Sequence, residues 1–288
     1  MKATPQIHQT GAGTRYLKDA GVVLIAKTRI VDGYMRALRQ FMLDLDPEFD
    51  VGSEDWTNQR IDTNAQEGAL LTQYAGQLCY LSFGTARTPF AENETYLRRI
   101  LSSGHGSVLE HVSYTMLFYG VDRACTHELV RHRAGMAYSQ VSQRFVDGRH
   151  LRFVMPFEYQ QNVALVQEFK EGIDRASATY AARTEALKAQ IPRQKGESAT
   201  EWRKRIQSCA RECLPNSTEA PIILTGNARA WRHVLSMRCA KAADVRIRRP
   251  MVRALALLQT EDPNLFADFR TFDLPDGSIG AEAEFPKP

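Results

Sequence analysis

Two hydrophobic rhythms alternate along the chain, short unbroken apolar runs and longer stretches with an apolar residue every three or four positions. That contrast predicts its elements. Residues 21–26, GVVLIA, form an apolar run suited to a first strand. Over 34–45, Met35, Leu38, Phe41, Met42 and Leu45 recur at helical spacing. An amphipathic helix follows over 67–82, broken by the Gly- and Pro-bearing 84–89, and another over 94–101 ends at Ser102-Ser103-Gly104. Residues 114–119, YTMLFY, are rich in strand formers; 151–156 and 220–225 read as two further strands. Between them, 124–132 looks helical until Gly135. The longest helical pattern, 163–191, carries Val166, Phe169, Ile173, Ala176, Tyr180 and Ala181 along one side, and a polar linker joins it to a helix over 201–213. The last two helices are predicted over 228–237 and 244–258.

The strands are scattered among many helices instead of alternating strictly with them. This predicts an α+β fold, with a mixed or antiparallel central sheet flanked by several helices. A single catalytic domain spans 1–288, with 1–16 a frayed N-terminal arm, 46–66 a polar, acidic inserted loop and 267–288 an acidic, partly disordered tail.

Composition narrows the classes without choosing one. With 43% hydrophobic and 24% charged residues over 288 positions, the chain has the balance of a globular protein that buries a real core. A net charge of +4 suits phosphorylated small molecules as well as nucleic acid. Five cysteines without a C-x-x-C pair argue against a disulfide framework or zinc finger. Cys209 and Cys213 read as small buried residues on one helix face. No signal-like apolar region opens the chain and no apolar run approaches the ~18 residues of a membrane span, so the expected location is cytoplasmic.

Most of the distinctive chemistry lies between His105 and Arg149. His127-Glu128 imitates the start of the zinc motif H-E-x-x-H, but Arg131 stands at i+4 and His132 at i+5, so no metal site is expected. Arg131-His132-Arg133 is either a solvated basic face or part of an anion site. On a helix at ~100° per residue its two arginines diverge, so both would be used only toward two groups or two subunits. Ser139, Gln140, Ser142, Gln143 and Arg144 follow, bringing hydroxyls and a guanidinium of the kind that hold a phosphate. His105, Ser107, Glu110 and His111 sit at a helix start, where free N–H groups favour anions or simple capping. The run Arg246-Ile247-Arg248-Arg249-Pro250 with Arg253 lacks interleaved aromatics and reads as a charged helix start facing solvent or a partner subunit. Dinucleotide, P-loop and hydrolase glycine motifs are absent.

Taken together these residues resemble the flavin-dependent thymidylate synthases. The family signature, Arg-His-Arg, seven residues, then Ser-x-Arg-aromatic, corresponds here to Arg131-His132-Arg133 followed by Ser142-Gln143-Arg144-Phe145. Further blocks match in order: Ser82-Phe83, then Gly104-His105-x-Ser107-x-x-Glu110-His111, Arg211 before Cys213-Leu214-Pro215, and Asn227-Ala228-Arg229 with Arg238. The likeness runs from about Glu67 to Phe266.

The resemblance implies reductive methylation of dUMP to dTMP, with methylene-tetrahydrofolate as carbon donor and NADPH-reduced FAD as hydride source. It implies that Arg131, Gln140, Ser142, Arg144, Arg211 and Arg238 hold the nucleotide, with Glu128 beside them. Ser82, His105, Ser107, Glu110, Arg131, His132, Arg133, Asn227 and Arg229 would hold FAD. Arg238 and Arg131 would orient and polarise the uracil without a covalent nucleophile. A homotetramer with active sites shared between subunits is also implied; nucleic acid and membrane are not expected partners. Two departures stand out. Eight residues separate Arg133 from Ser142 instead of seven, and Glu128 stands where members commonly have Gln. They keep open the same chemistry on a variant nucleotide such as UMP, beside a third reading as a basic nucleic-acid-binding protein without catalysis.

Overall fold

The computed structural model describes residues 5–48, 65–82 and 92–287. Its centre is a four-stranded antiparallel sheet made of β3 (Gly21–Lys27), β4 (Ser113–Tyr119), β7 (Ile222–Asn227) and β5 (Met136–Gln140), in that spatial order. β4 alternates between buried and half-buried side chains, so Tyr114, Met116 and Phe118 all face one side. Ile222 and Leu224 of β7 join them on that face.

Helices pack on this face. The core gathers Leu97 and Leu101 of α3 (Asn93–Ser102), Trp231, Val234 and Leu235 of α7 (Ala228–Arg238), and Ile247, Met251, Leu255 and Leu258 of α8 (Val245–Glu261) against the sheet. A 3-10 helix, Gly106–His111, adds Val108 and Leu109 and packs against α7 and α2 (Glu67–Leu78). The Trp231 indole, fully buried, donates to the Tyr114 carbonyl at 3.1 Å and stacks near Phe118. On the opposite face, Val23, Leu117, Ile223 and Ser139 form one row across the four strands, and Val23 and Ile223 are 45% and 38% exposed.

Around this centre, α1 (Tyr34–Leu45) packs Met42 on Leu70 and Tyr74 of α2. The long α5 (Val163–Gln190) and α6 (Ala199–Ala210) lie together, with Phe169 and Ile173 of α5 burying against Tyr16 and Phe153. A capping box of Ser198 and Glu201 fixes the start of α6.

The α+β architecture agrees with expectation; several boundaries do not. Part of the supposed N-terminal arm is ordered: β1 (Ile7–Gln9) and β2 (Arg15–Leu17) form an antiparallel hairpin, extended by parallel pairing of β2 with β6 (Phe153–Val154). Much of the supposed tail is ordered too. After a short α9 (Pro263–Phe266), β8 (Phe269–Asp273) and β9 (Ile279–Ala283) pair as a hairpin. The helix expected to 82 ends at Leu78. Of the polar insert, 49–64 lie outside the described residues, as do Phe83 and the helix break at 84–89.

The basic run is not a solvated face. Arg246 pairs with buried Asp122 at 3.4 Å, and Arg249 and Arg253 both pair with Asp19. Arg248, only 3% exposed, bonds Asp276, Ser278 and two backbone carbonyls. These guanidinium groups tie the chain to itself instead of standing free toward solvent or a partner. The cysteine pair was also misread: α6 ends at Ala210, Cys209 is exposed and Cys213 half-buried. Among the described residues no group of three or more His, Cys, Asp and Glu is placed to hold a metal, and no helix is long and apolar enough to cross a membrane.

Candidate active site

The signature residues sit where α4 (Arg123–Leu129) hands the chain to β5. Asp122 caps the start of α4 by accepting from the Cys125 N–H at 2.8 Å. The helix stops at Leu129, three residues short of expectation. Arg131 and Arg133 therefore do not share a helical turn, and the argument from angular divergence does not apply to them. Both are exposed and have no ion-pair partner among the described residues.

Arg238, from the last turn of α7, closes the C-terminal end of α4. Its Nε donates to His132 Nε2 at 2.9 Å, one terminal nitrogen donates to Glu128 Oε2 at 2.5 Å, and the other faces the Glu128 carbonyl at 3.5 Å. A cation at a helix C-terminus is favourable in itself. Because Nε is a donor, His132 Nε2 must be the acceptor, which requires a neutral ring carrying its proton on Nδ1. Burial, the Arg238 charge and the nearby His233 all push the same way, holding the His132 pKa down to about 4.

The sign of the pH effect follows. Unfolded His132 takes a proton near 6.5 and folded His132 only near 4. Between those values the unfolded chain binds more protons, so this contribution is complete above 6.5 and is lost as pH falls toward 4. Urea melts across that window should show stability declining with acid, with a shallower decline in His132→Asn. An unchanged slope would show that His132 is not held neutral.

Leaving α4, the chain turns at Gly135, whose φ of +69 favours glycine. A Cβ there would lie 2.8 Å from Asn227 Nδ2 and 2.9 Å from the Ala230 Cβ. The Gly135 carbonyl accepts from the Asn227 N–H at 3.2 Å, while the Asn227 side chain caps α7 through the Ala230 N–H at 2.8 Å. Gly135→Ala should therefore cost about 1–3 kcal/mol and disturb the signature loop and the α7 cap together. Equal thermal stability of wild type and variant would contradict this.

The polar stretch after Gly135 is not a loop but β5, the edge strand beside β7. Met136, Tyr138 and Gln140 alternate with the more exposed Ala137 and Ser139. That period of two was the available signal, hidden by polar residue types. Tyr138, absent from the expected site, donates from its hydroxyl to the His132 carbonyl at 2.6 Å and fixes the turn. Five of the eight spacer residues are in this strand.

Beyond β5, Ser142 opens a tight turn. Its carbonyl accepts from the Phe145 and Val146 N–H groups, and its Oγ accepts from the Arg144 N–H at 3.3 Å. Arg144 Nε reaches Ser208 Oγ on α6 at 3.1 Å. Ser208 is a second residue the sequence did not single out. Arg211 opens the short 3-10 turn directly after α6 and has no ion-pair partner among the described residues.

The remaining candidates line the start of α7. Arg229 pairs with Glu110 at 2.7 Å across an exposed surface; Ser107 is exposed on the same short 3-10 helix as Glu110, and His105, also exposed, directly precedes it. Ser82 follows α2 and bonds back to the Gln77 carbonyl through its N–H at 3.0 Å.

Two constellations result. One joins Glu128, His132 and Arg238, with Asn227, Arg229, Glu110, His105 and Ser107 along the neighbouring α7 start. The other joins Ser142 and Arg144 to α6, with Arg211 at its end. Gln140 lies between them at the end of β5. Among the described residues no hydrogen bond or ion pair links the first group to the second. The exposed Arg229, Arg133 and Ser107 are donors fit for the phosphates of a dinucleotide such as FAD, with the Asn227 turn behind them.

Comparison with known proteins places these elements in a family. The family described as thymidylate synthase complementing protein matches residues 61–264. A protein of Mycobacterium tuberculosis named flavin-dependent thymidylate synthase is 42% identical over 216 residues, covering 75% of this chain and 85% of its own length. A protein of Mycobacterium bovis with the same name matches equally well. Another of that name, from Mycobacterium sp. strain KMS, is 41% identical over 221 residues, covering 75% and 86%.

Proposed function

The chain belongs to the family of the flavin-dependent thymidylate synthases, and from that premise we propose that it methylates dUMP at C5 to give dTMP. FAD is the cofactor, with methylene-tetrahydrofolate as carbon donor and NADPH as reductant. The observation that carries the site assignment is the contact of Arg238 with His132, 106 residues apart in sequence. It brings the Arg-His-Arg signature and the last-turn arginine of α7 to one point.

In this reading Ser142, Arg144 and Arg211 hold the phosphate, and Arg131, Gln140 and Arg238 face the sugar and uracil. Arg238 presents a guanidinium to a uracil carbonyl and stabilises charge that develops there. Glu128 holds Arg238 in place beforehand. Ser82, His105, Ser107, Glu110, His132, Arg133, Asn227 and Arg229 surround the flavin, with Arg131 adjoining it. When bound, FAD supplies the hydride; the protein supplies orientation, charge and exclusion of water. Cys125 and Cys239 are buried in the core and that burial pushes their pKa values up, so neither offers a ready thiolate to the ring. The reaction belongs in the cytoplasm, where the reduced cosubstrates are available.

A homotetramer completes the site. Two separate constellations on one chain, Arg131 and Arg133 without ion-pair partners among the described residues, and the exposed Val23 and Ile223 in the row with Leu117 and Ser139 all support assembly through this sheet face. No particular observation favours UMP as substrate, and the internal pairing of Arg246, Arg248, Arg249 and Arg253 gives the nucleic-acid reading no support from that run.

Purified protein supplied with FAD should take on the flavin visible absorption and form dTMP from dUMP when both cosubstrates are present. Failure to bind FAD, or faster turnover of UMP than of dUMP, would overturn the reading. Arg144→Ala should weaken dUMP binding by about 10- to 100-fold while flavin affinity stays nearly constant. Equal loss of both ligands in titrations would contradict the phosphate assignment.

A further inference from the structure

Between α5, α6 and the loop that follows the signature lies a cavity of about 420 Å³, within the volume range of small-molecule pockets. None of its lining residues has a place in the proposed reaction. Three features show that it is built to hold something.

The first is Gln207 on α6. Its side chain lines the cavity, is only 8% exposed, and has no hydrogen-bond partner among the described contacts. Its carboxamide atoms open onto the cavity instead of being sealed in the core, and its adjoining N–H and C=O groups match a lactam edge. The second is a pair of aromatic walls, Phe145 and Trp202. The Trp202 indole N–H is already satisfied by the Ile191 carbonyl at 2.7 Å, which fixes the ring and leaves its faces for packing. The third is charge. Arg149 is committed to Asp147 and Lys188 to Glu185, but Arg203 has only the Thr200 hydroxyl at 3.3 Å and no carboxylate partner among the described residues. His150 adds a further ring nitrogen at the rim.

We propose that this cavity is a second ligand site, for a planar lactam heterocycle carrying anionic groups, the chemistry that nucleotides and folates share. Gln207 reads the lactam edge, Phe145 and Trp202 sandwich or flank the ring, and Arg203 meets the anion. The same Gln207, with Arg203 and Phe145, also lines a smaller cavity beside Arg144, so occupancy would be felt at the loop assigned to the substrate phosphate. The proposal stands on the cavity itself and does not require the proposed reaction.

The test uses full-length protein with FAD and saturating dUMP, titrated in one arm with thymidine triphosphate and in the other with 5-formyltetrahydrofolate, following tryptophan emission. Saturable quenching in one arm identifies the source. The quench should vanish in Trp202→Phe, and affinity should fall at least tenfold in Gln207→Leu and Arg203→Ala, with dUMP affinity unchanged in both. Absence of binding by either probe at millimolar concentration would overturn the proposal. So would a quench that persists in Trp202→Phe, or affinities indifferent to both other substitutions. Should Gln207→Leu fail to fold, Arg203→Ala and Arg203→Glu, at an exposed position, decide the matter by the same readout.

Discussion

Arg238→Ala is expected to lower kcat/KM for dUMP by about 10²–10³-fold, the usual loss when one preorganised donor to developing charge is removed. The side chain is 19% exposed and already oriented by two partners, so little reorganisation is needed when substrate arrives. Its removal also has a local signature that a merely structural arginine would not give. His132 loses its hydrogen-bond donor and a nearby positive charge, and its pKa should climb from about 4 back toward the ordinary value of 6.5. Following the His132 ring protons by NMR during a pH titration reads this directly. Arg238→Lys should rescue little, because a single ammonium cannot contact His132 Nε2 and the Glu128 carboxylate with the same fork. Near-normal kcat/KM with the His132 pKa unmoved would show that the contact is incidental.

The largest effect on stability is expected at Asp268, which meets the fully buried Arg232 of α7. The two guanidinium nitrogens reach its two carboxylate oxygens at 2.6 and 2.7 Å, and they also donate to the Leu265 and Phe285 carbonyls. The Phe269 ring lies 5.1 Å from the same guanidinium. Removing the carboxylate strands a cation in the core, at a cost of about 3–5 kcal/mol. Asp268→Ala should therefore lower Tm by on the order of 10 °C. The companion double variant Arg232→Met/Asp268→Leu should recover most of the loss, because the penalty comes from the unpaired charge and not from the missing attraction. Equal destabilisation in the single and double variants would point instead to lost packing. α7 carries Arg229, Arg232 and Arg238, so this pair, anchored in the segment after α8, holds the helix from which Arg238 reaches His132.

That dependence was not legible in the sequence. The segment from 267 onward is acidic and bears Gly and Pro, and composition alone reads as a loose tail; the ion pair and the β8–β9 hairpin that order it are long-range. The same holds at the N-terminus, where β1 and β2 are three residues each and too short to show a period. Local patterns succeeded where burial on one face dictates residue type. α1 begins and ends at its expected residues, and Leu38 and Met42 of its apolar spacing pack on the Leu70 and Tyr74 cluster, while Phe41 and Leu45 stay exposed. β4 was plain because both its neighbours and its facing helices demand strand formers.

The candidate site was legible through its ordered motifs and less so through its geometry. Arg131, His132 and Arg133 stood out as a motif, but the helix under them ends at Leu129, since the chain must turn at Gly135 to add β5 to the sheet. Tyr138, Ser208 and Gln207 escaped notice because each acts through one contact or cavity that pairs distant elements. The arginines of α8 read as a charged helix start facing solvent or a partner subunit, yet each is used inside the chain. A count of positive residues does not show which charges are already paired.

The most direct measurement of the central claim is tritium release from dUMP labelled at C5. The assay is run with FAD, methylene-tetrahydrofolate and NADPH, and repeated with each omitted and with labelled UMP. Release that requires all three, runs faster with dUMP than with UMP, and falls by about 10²–10³-fold in Arg238→Ala is the predicted result. Release that proceeds without flavin, or none from dUMP under any of these conditions, would contradict the account.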